Sequence, residues 1–244
     1  MTVATGGDIK DGFEESQSSM ASATQAKTAR PRHHRAVAAL KRDERLAEVI
    51  AAVGPYRPDH GGDGFAALVR AIASQQVSKY ASDAILGRLY ALFPDGRLDP
   101  ERLLRLRPAR LQGVGLSRRK VEYLRDLARH VTDGRIDFAR LEALPDDVVI
   151  ETLTAVKGIG RWTAEMYLMF TLGRPDVLPL GDVALVNIVR DLYGLPAEAD
   201  SDHFGAIAEI WRPWRSIACW YLYRSINMRR AALNAAKRAA AKGT

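Results

Sequence analysis

The sequence predicts an all-α protein. Apolar residues recur at the i, i+3, i+4, i+7 spacing of an amphipathic helix in four separate stretches. No stretch alternates apolar with polar residues as a half-buried strand would, and no Asn-Gly hairpin turn is present. The four helical stretches are residues 46–53, 65–72, 185–192 and 204–211.

Residue types that start helices support this prediction in chain order. Asp99 precedes Pro100, as an N-cap precedes a proline in the first helical turn. Ser117 is placed to cap the next helix, and Pro145 opens a further one. The alanine-rich segment 229–242 is predicted to extend the last helix with a basic face.

The chain divides by composition into a tail and a helical part. Residues 1–35 lack apolar periodicity and are rich in Ser, Thr, Ala and Gly, which predicts a disordered basic tail. The helical part is expected to form two lobes with a cleft between them. Residues 36–64 and 176–244 form one lobe in this prediction, and residues 65–175 form the other. No apolar run reaches the roughly 18 residues of a membrane span, and we expect a cytoplasmic monomer.

Charge points to an anionic partner. The 244 residues carry a net charge of +7 and a pI of about 9.7, which favours nucleic acid. Seven basic side chains and no acidic one lie between Arg102 and Lys120, although a solvated helix face would have the same composition. The single cysteine excludes a disulfide framework, a four-cysteine zinc site and a four-cysteine iron–sulfur cluster. The five histidines lack metal-ligand spacing, so no metal site is predicted from them.

A Gly-Ile-Gly turn at 158–160 carries the first functional signal. It stands before a predicted helix, whose unpaired amides and positive dipole end favour a phosphate. Glycine allows close backbone approach, while Lys157 and Arg161 add positive charge. A similar turn includes Gly115 and Ser117. Both turns could equally be plain helical corners.

Asp182 carries the second signal. It follows a Pro- and Gly-containing loop and stands at the start of an amphipathic helix. An N-cap is the commonest use of such an aspartate, but the position also aims a carboxylate into any cleft beside the helix. The two interpretations remain open at this level.

Taken together, these motifs resemble the helix-hairpin-helix (HhH-GPD) superfamily of DNA glycosylases. Three further stretches are similar to its alkylation-repair branch, the DNA-3-methyladenine glycosylase II type. They are Arg-Ala-Ile-Ala-Ser-Gln-Gln-Val-Ser at 70–78, Val-Gly-Leu-Ser-Arg-Arg-Lys at 114–120 and Trp-Arg-Pro-Trp-Arg-Ser at 211–216. The resemblance spans residues 40–228 and implies that the cleft between the two lobes is a DNA-binding cleft.

The resemblance implies roles for particular residues. Asp182 matches the catalytic aspartate, and Gln76 matches the side chain that fills the gap left by an extruded base. Trp162 and Tyr223 match aromatic walls of the base pocket. Met166 occupies a pocket position that is aromatic in some relatives, which implies looser stacking.

The hairpin residues are also assigned by resemblance. Lys157, Gly158, Gly160 and Arg161 are expected to bind DNA phosphate, as are Gly115 and Ser117 of the other turn. Carbonyls near Gly158 and Gly160 are expected to hold a monovalent cation, Na⁺ or K⁺, and no other cofactor is expected.

The implied activity is excision of alkylated purines, such as 3-methyladenine and 7-methylguanine, from double-stranded DNA. Bifunctional relatives carry a lysine where this chain has Trp162, so no AP-lyase activity is expected. Two alternatives stay open: a glycosylase for deaminated or oxidised bases, and a non-catalytic helix-hairpin-helix DNA-binding module.

Overall fold

The computed structural model describes residues 33–58 and 60–242, with side chains through residue 237. The all-α prediction is confirmed, because these residues form helices, turns and loops without a strand. Residues 33–40 form α1, so the last three residues of the predicted tail are helical rather than disordered. The ring of His33 lies edge-on to the ring of Tyr56, with the ring centroids 5.0 Å apart. The rest of the predicted tail lies outside the described residues. The following helices are α2 (Glu44–Val53), α3 (Gly64–Ser74), α4 (Lys79–Tyr90), α5 (Pro100–Arg105), α6 (Pro108–Gly113), α7 (Arg118–Thr132), α8 (Phe138–Leu141), α9 (Asp146–Thr154), α10 (Arg161–Phe170), α11 (Val183–Tyr193), α12 (Ser201–Ala208), a 3₁₀ turn (Glu209–Trp211) and α13 (Arg215–Lys242).

Helix ends follow the predicted capping chemistry. The Asp99 carboxylate accepts the Arg102 amide at 2.6 Å, and the Ser117 hydroxyl accepts the Lys120 amide at 3.3 Å. Each cap satisfies a donor that the first turn of a helix leaves unpaired. Pro145 directly precedes α9, as expected.

The chain forms two compact units. Among the described residues, one contains residues 33–56 and 221–242, and the other lies between Arg57 and Trp220. The first unit includes α1, α2 and most of α13, with Leu40, Leu46 and Ile50 buried. These bounds differ from those of the two predicted lobes, which stay a prediction.

The second unit is built around α3, α7 and α10. Helix α3 packs against α4, α7 and α10, while α5 and α6 lie on α7 and α9 lies on α10. Its centre is apolar, with Ile72, Leu124, Leu127 and Leu168 fully buried. This packing places the end of α3, the turn before α7 and the turn before α10 in one unit.

Membrane-spanning character was sought in the helices of the described segments. None of them combines the length and apolarity that a span requires. The 28-residue α13 is long enough, but it is rich in arginine and lysine.

Candidate active site

The turn between α9 and α10 has two glycines with different surroundings. Gly158 has a φ of +84°, and a Cβ built there would overlap the ring of Tyr123 on α7. Gly160 has an ordinary φ of −91°, and a Cβ built there would meet no atom within 4 Å. The fold itself therefore requires glycine at 158, whereas at 160 glycine keeps an outer surface uncovered.

Two long-range hydrogen bonds hold this turn. The Gln75 side-chain amide donates to the Gly158 carbonyl at 2.9 Å, and the Lys157 amide donates to the Asp126 carboxylate at 2.9 Å. The turn is thereby attached to the end of α3 and to α7. The Gly160 carbonyl accepts the Ala164 amide at 3.1 Å, so both glycine carbonyls retain one further lone pair. Cation binding at these carbonyls stays a prediction.

The N-terminus of α10 has no side-chain cap. Gly160 is its N-cap residue, unlike the aspartates and serines that cap α2, α3, α4, α7 and α11. First-turn amides at such an end lack partners within the helix and attract an anion. The exposed side chains of Lys157 and Arg161 flank this end, which supports the predicted phosphate site.

Arg161 is anchored by a buried carboxylate. Its Nε lies 2.9 Å from Glu165 Oε1, one turn further along α10. The Glu165 side chain is almost fully buried, whereas that of Arg161 is mostly exposed. Burial raises the pKa of Glu165, and the positive charge of Arg161 opposes that shift.

Asp182 uses both carboxylate oxygens. Oδ1 accepts the amides of Ala184 and Leu185 at 2.8 and 3.0 Å, which caps α11. Oδ2 accepts the indole N–H of Trp162 at 2.6 Å. The residue is only 7% exposed, so three donors compensate for its removal from water. Asp182 is therefore the N-cap of α11, whereas its role in a cleft stays a prediction.

The surroundings of Asp182 include a buried thiol. Burial raises the pKa of Cys219, and the negative charge of Asp182 raises it further. Cys219 is fully buried on α13 and stays a neutral thiol.

The loop that leads to Asp182 is anchored by residues of the 211–216 motif. Arg215 pairs with both carboxylate oxygens of Asp176, at 2.8 and 3.0 Å, and Arg212 lies 2.9 Å from the same carboxylate. The Ser216 hydroxyl accepts the Val177 amide at 2.8 Å. Bidentate guanidinium–carboxylate pairing is rigid and directional, so this motif holds the loop that leads to Asp182.

The predicted pocket residues are distributed over both units. Trp162 is 48% exposed, and Met166 is half-buried one turn further along α10. Met166 lines a cavity of about 380 Å³ between α3 and α10, together with Thr163 and Phe170. Tyr223 lies half-buried on α13 in the first unit, and its predicted pocket role stays a prediction.

Gln76 directly follows the end of α3 and has a φ of +55°. Among the described residues it is the one non-glycine with a positive φ, a conformation that costs energy for an L-residue. Its side chain and those of the next four residues are exposed, with Tyr80 87% exposed. The position suits a side chain that inserts into DNA, and insertion itself stays a prediction.

The other glycine turn is also well held. Gly115 has a φ of +103°, and a Cβ built there would lie 3.0 Å from the Arg88 guanidinium. Arg88 donates to the Val114 carbonyl at 2.9 Å, and Ser117 caps α7. Phosphate binding at Gly115 and Ser117 stays a prediction.

The basic side chains between Arg102 and Lys120 have different contacts. Lys120 donates to the Ala73 carbonyl at 2.7 Å and Arg102 to the Leu92 carbonyl at 3.5 Å, so both brace the fold. Burial lowers the pKa of Lys120. Arg105 and Arg118 pair with glutamates on their own helices. The side chains left exposed without such pairs are those of Arg107, Arg110 and Arg119.

Sequence reasoning missed two contacts at this site. It assigned Trp162 to the pocket wall without its hydrogen bond to Asp182, and it did not connect Gln75 to the Gly158 carbonyl. The partners are 20 and 83 residues apart, so no local pattern marks them. The part of the chain that the structure describes holds no group of three or more His, Cys, Asp or Glu arranged for a metal.

Comparison with known proteins agrees with this geometry. The family model described as "HhH-GPD superfamily base excision DNA repair protein" matches residues 69–213. The DNA-3-methyladenine glycosylase 1 of Schizosaccharomyces pombe is 35% identical over 188 residues, which is 75% of this chain and 82% of that protein.

Solved structures give the same result. The 3-methyladenine DNA glycosylase of S. pombe in complex with abasic DNA superposes with a TM-score of 0.71 at 34% identity, covering 78% of this chain and 95% of that one. The DNA-3-methyladenine glycosidase of Bacillus halodurans gives a TM-score of 0.69 at 40% identity, covering 77% and 86%.

Proposed function

Because the chain belongs to the HhH-GPD superfamily of base excision DNA repair proteins, we propose that it is a monofunctional DNA glycosylase acting on alkylated purines. The substrates in this proposal are 3-methyladenine and 7-methylguanine in duplex DNA. The observation that carries it is the buried Asp182 carboxylate, held by two backbone amides and by Trp162. The names of the relatives support the same substrate class.

DNA binding begins at the α10 N-terminus. Its uncapped amides, with Lys157 and Arg161 beside them, bind a backbone phosphate and position the duplex without reading its sequence. The damaged nucleotide then leaves the base stack, which costs a few kcal/mol. The exposed Gln76 side chain fills the space that it leaves.

Bond cleavage follows from the charge of the substrate. An alkylated purine of this kind is cationic, so it leaves readily without a general acid. The sugar becomes oxocarbenium-like as the glycosidic bond breaks. The Asp182 carboxylate stabilises that positive charge and orients the attacking water. The face of Trp162 stacks on the cationic base, a contact worth about 1–2 kcal/mol.

The proposal excludes strand cleavage by the protein. A lyase step needs an amine nucleophile at the damaged sugar, and the residue at the position that carries it in bifunctional enzymes is Trp162. We also propose that the protein acts as a monomer, in the cytoplasm with the chromosomal DNA. A monovalent cation at the Gly158 and Gly160 carbonyls would strengthen the phosphate contact.

The test is release of free base from methylated duplex DNA by the wild type and by Asp182→Asn. Asparagine caps helices as well as aspartate does, so the variant is expected to fold and bind DNA but release no methyladenine. Because its amide would face the indole N–H of Trp162, the same change is also made in a Trp162→Phe background. Strand breaks in the wild-type reaction are expected only after alkali treatment.

Three other outcomes would contradict parts of the proposal. Release of methyladenine by both proteins would show that catalysis does not require Asp182. DNA strand breaks before alkali treatment would show lyase activity. No release by the wild type, despite salt-sensitive DNA binding, would direct the search to deaminated and oxidised bases and then to a non-catalytic binding role.

A further inference from the structure

The described side chains of α13 from residue 227 to residue 237 lie outside the core. The helix spans Arg215–Lys242, 28 residues, or about 42 Å at 1.5 Å per residue. Every side chain in residues 227–237 is exposed, including those of Met228 and Leu233, at 50% and 56%. Its alanines favour helix formation, yet short helices without packing are marginally stable in water. A bound partner would therefore stabilise this segment.

The charge on this segment has one sign. Glu209 is the last acidic residue of the sequence, so α13 carries arginine and lysine without a counter-charge of its own. Arg229, Arg230 and Lys237 are all exposed. At about 100° per residue they fall within an arc of about 100° on the helix. Arg229 and Lys237 are separated by about 12 Å along the axis, close to the major-groove width of about 12 Å.

We infer that Arg229, Arg230 and Lys237 form a second DNA-binding surface, which contacts backbone phosphates. The inference rests on the proposed function, because duplex DNA is then the polyanion that the protein meets at every turnover. Helices that lie on membranes carry a broad apolar face. On this segment the large apolar side chains are those of Met228 and Leu233, which do not form a broad apolar face, so DNA is the better match.

The test compares two triple substitutions that remove the same amount of charge. The first is Arg229→Ala, Arg230→Ala and Lys237→Ala, which keeps helix propensity high. The control is Arg45→Ala, Arg97→Ala and Arg140→Ala, three exposed arginines outside the proposed surfaces. Affinity for an undamaged duplex is measured over a range of salt concentrations, and circular dichroism checks that α13 remains helical.

The slope of log affinity against log salt falls by about 0.9 for each phosphate that the protein no longer neutralises. We expect the slope of the first variant to be smaller by about 2.7 and the control to keep the wild-type slope. Base release at saturating DNA is expected to be equal in all three proteins. A lysine- and arginine-exchanged variant, with Arg229→Lys, Arg230→Lys and Lys237→Arg, should retain the slope.

An unchanged slope in the first variant overturns the inference, as does an equal decrease in the control. Weaker binding to vesicles with anionic lipid, with the DNA slope unchanged, overturns it in favour of a membrane surface. The two proposals fail separately: absence of base release refutes the glycosylase, whereas the salt slope on undamaged DNA tests only α13.

Discussion

Replacing Gly158 by alanine and replacing Gly160 by alanine should have opposite consequences, although the two glycines share one turn. At 158 the left-handed φ of +84° costs an L-residue about 1–2 kcal/mol. The overlap of the new methyl group with Tyr123 adds about 1–3 kcal/mol. The expected loss of unfolding free energy is about 2–5 kcal/mol, a large part of the stability of a typical domain.

At Gly160 neither cost applies. Alanine at this position lowers the entropy of the unfolded chain, which raises the free energy of unfolding by about 0.4–1 kcal/mol. Alanine is also a poorer N-cap than glycine, which lowers the free energy of unfolding by a similar amount. The unfolding free energy should stay within about 1 kcal/mol of the wild type. DNA affinity should fall, because the added methyl group occupies the surface where a phosphate would approach.

Urea denaturation followed by circular dichroism, together with duplex binding, separates the two effects. With an m-value of about 2 kcal/mol/M, Gly158→Ala should lower the midpoint by about 1–2.5 M. In a Tyr123→Ala background only the cost of φ remains, so the penalty of Gly158→Ala should fall to about 1–2 kcal/mol. Equal destabilisation by the two glycine substitutions would refute the reasoning.

Three further substitutions test contacts at the candidate active site. Trp162→Phe keeps the aromatic face but removes the hydrogen-bond donor to Asp182. Since a hydrogen bond to a charged group is worth about 1.5–3 kcal/mol, single-turnover base release should slow by about 10- to 100-fold. Base release at the wild-type rate would show that the indole N–H does not contribute to catalysis. Burial raises the pKa of Glu165 above its ordinary 4.5, so its contribution to stability is present below pH 4.5 and is lost as the pH rises through the folded-state value. Glu165→Gln should flatten the fall of unfolding free energy with rising pH, and an unaltered pH dependence would contradict this. Arg215→Lys removes the bidentate pair with Asp176 and should lower the unfolding free energy by about 1–3 kcal/mol, with slower base release, whereas a neutral result would mean that the loop is held by other contacts.

Local chemistry explains what could be predicted from the sequence. Helix periodicity and the caps at Asp99 and Ser117 depend on neighbours within four residues, and both are present as predicted. Asp182 could be placed at a helix start for the same reason. The sequence left a choice between an N-cap and a functional carboxylate. The cap uses Oδ1 of Asp182, so capping α11 does not exclude a catalytic role, which stays a prediction.

Contacts between distant segments could not be predicted in this way. Whether a basic side chain faces a partner or braces a helix end depends on packing. The run of basic residues at 102–120 therefore could not show that Lys120 braces the fold while Arg119 is exposed. The pairing of Trp162 with Asp182 depends on how α10 and α11 are oriented in the fold. Neither residue type nor spacing along the chain determines that orientation.

Adjacent glutamines at the end of α3 have different tasks. The Gln75 side chain donates a hydrogen bond to the carbonyl of Gly158, while the Gln76 side chain is exposed. In the proposed function, the distance between the phosphate site at the α10 N-terminus and the Gln76 side chain is therefore set by the fold before DNA binds. A glycosylase with this fixed distance would be able to test base pairs for weakened stacking without rearranging itself. Undamaged pairs would resist the probe, and the time spent on each would stay short.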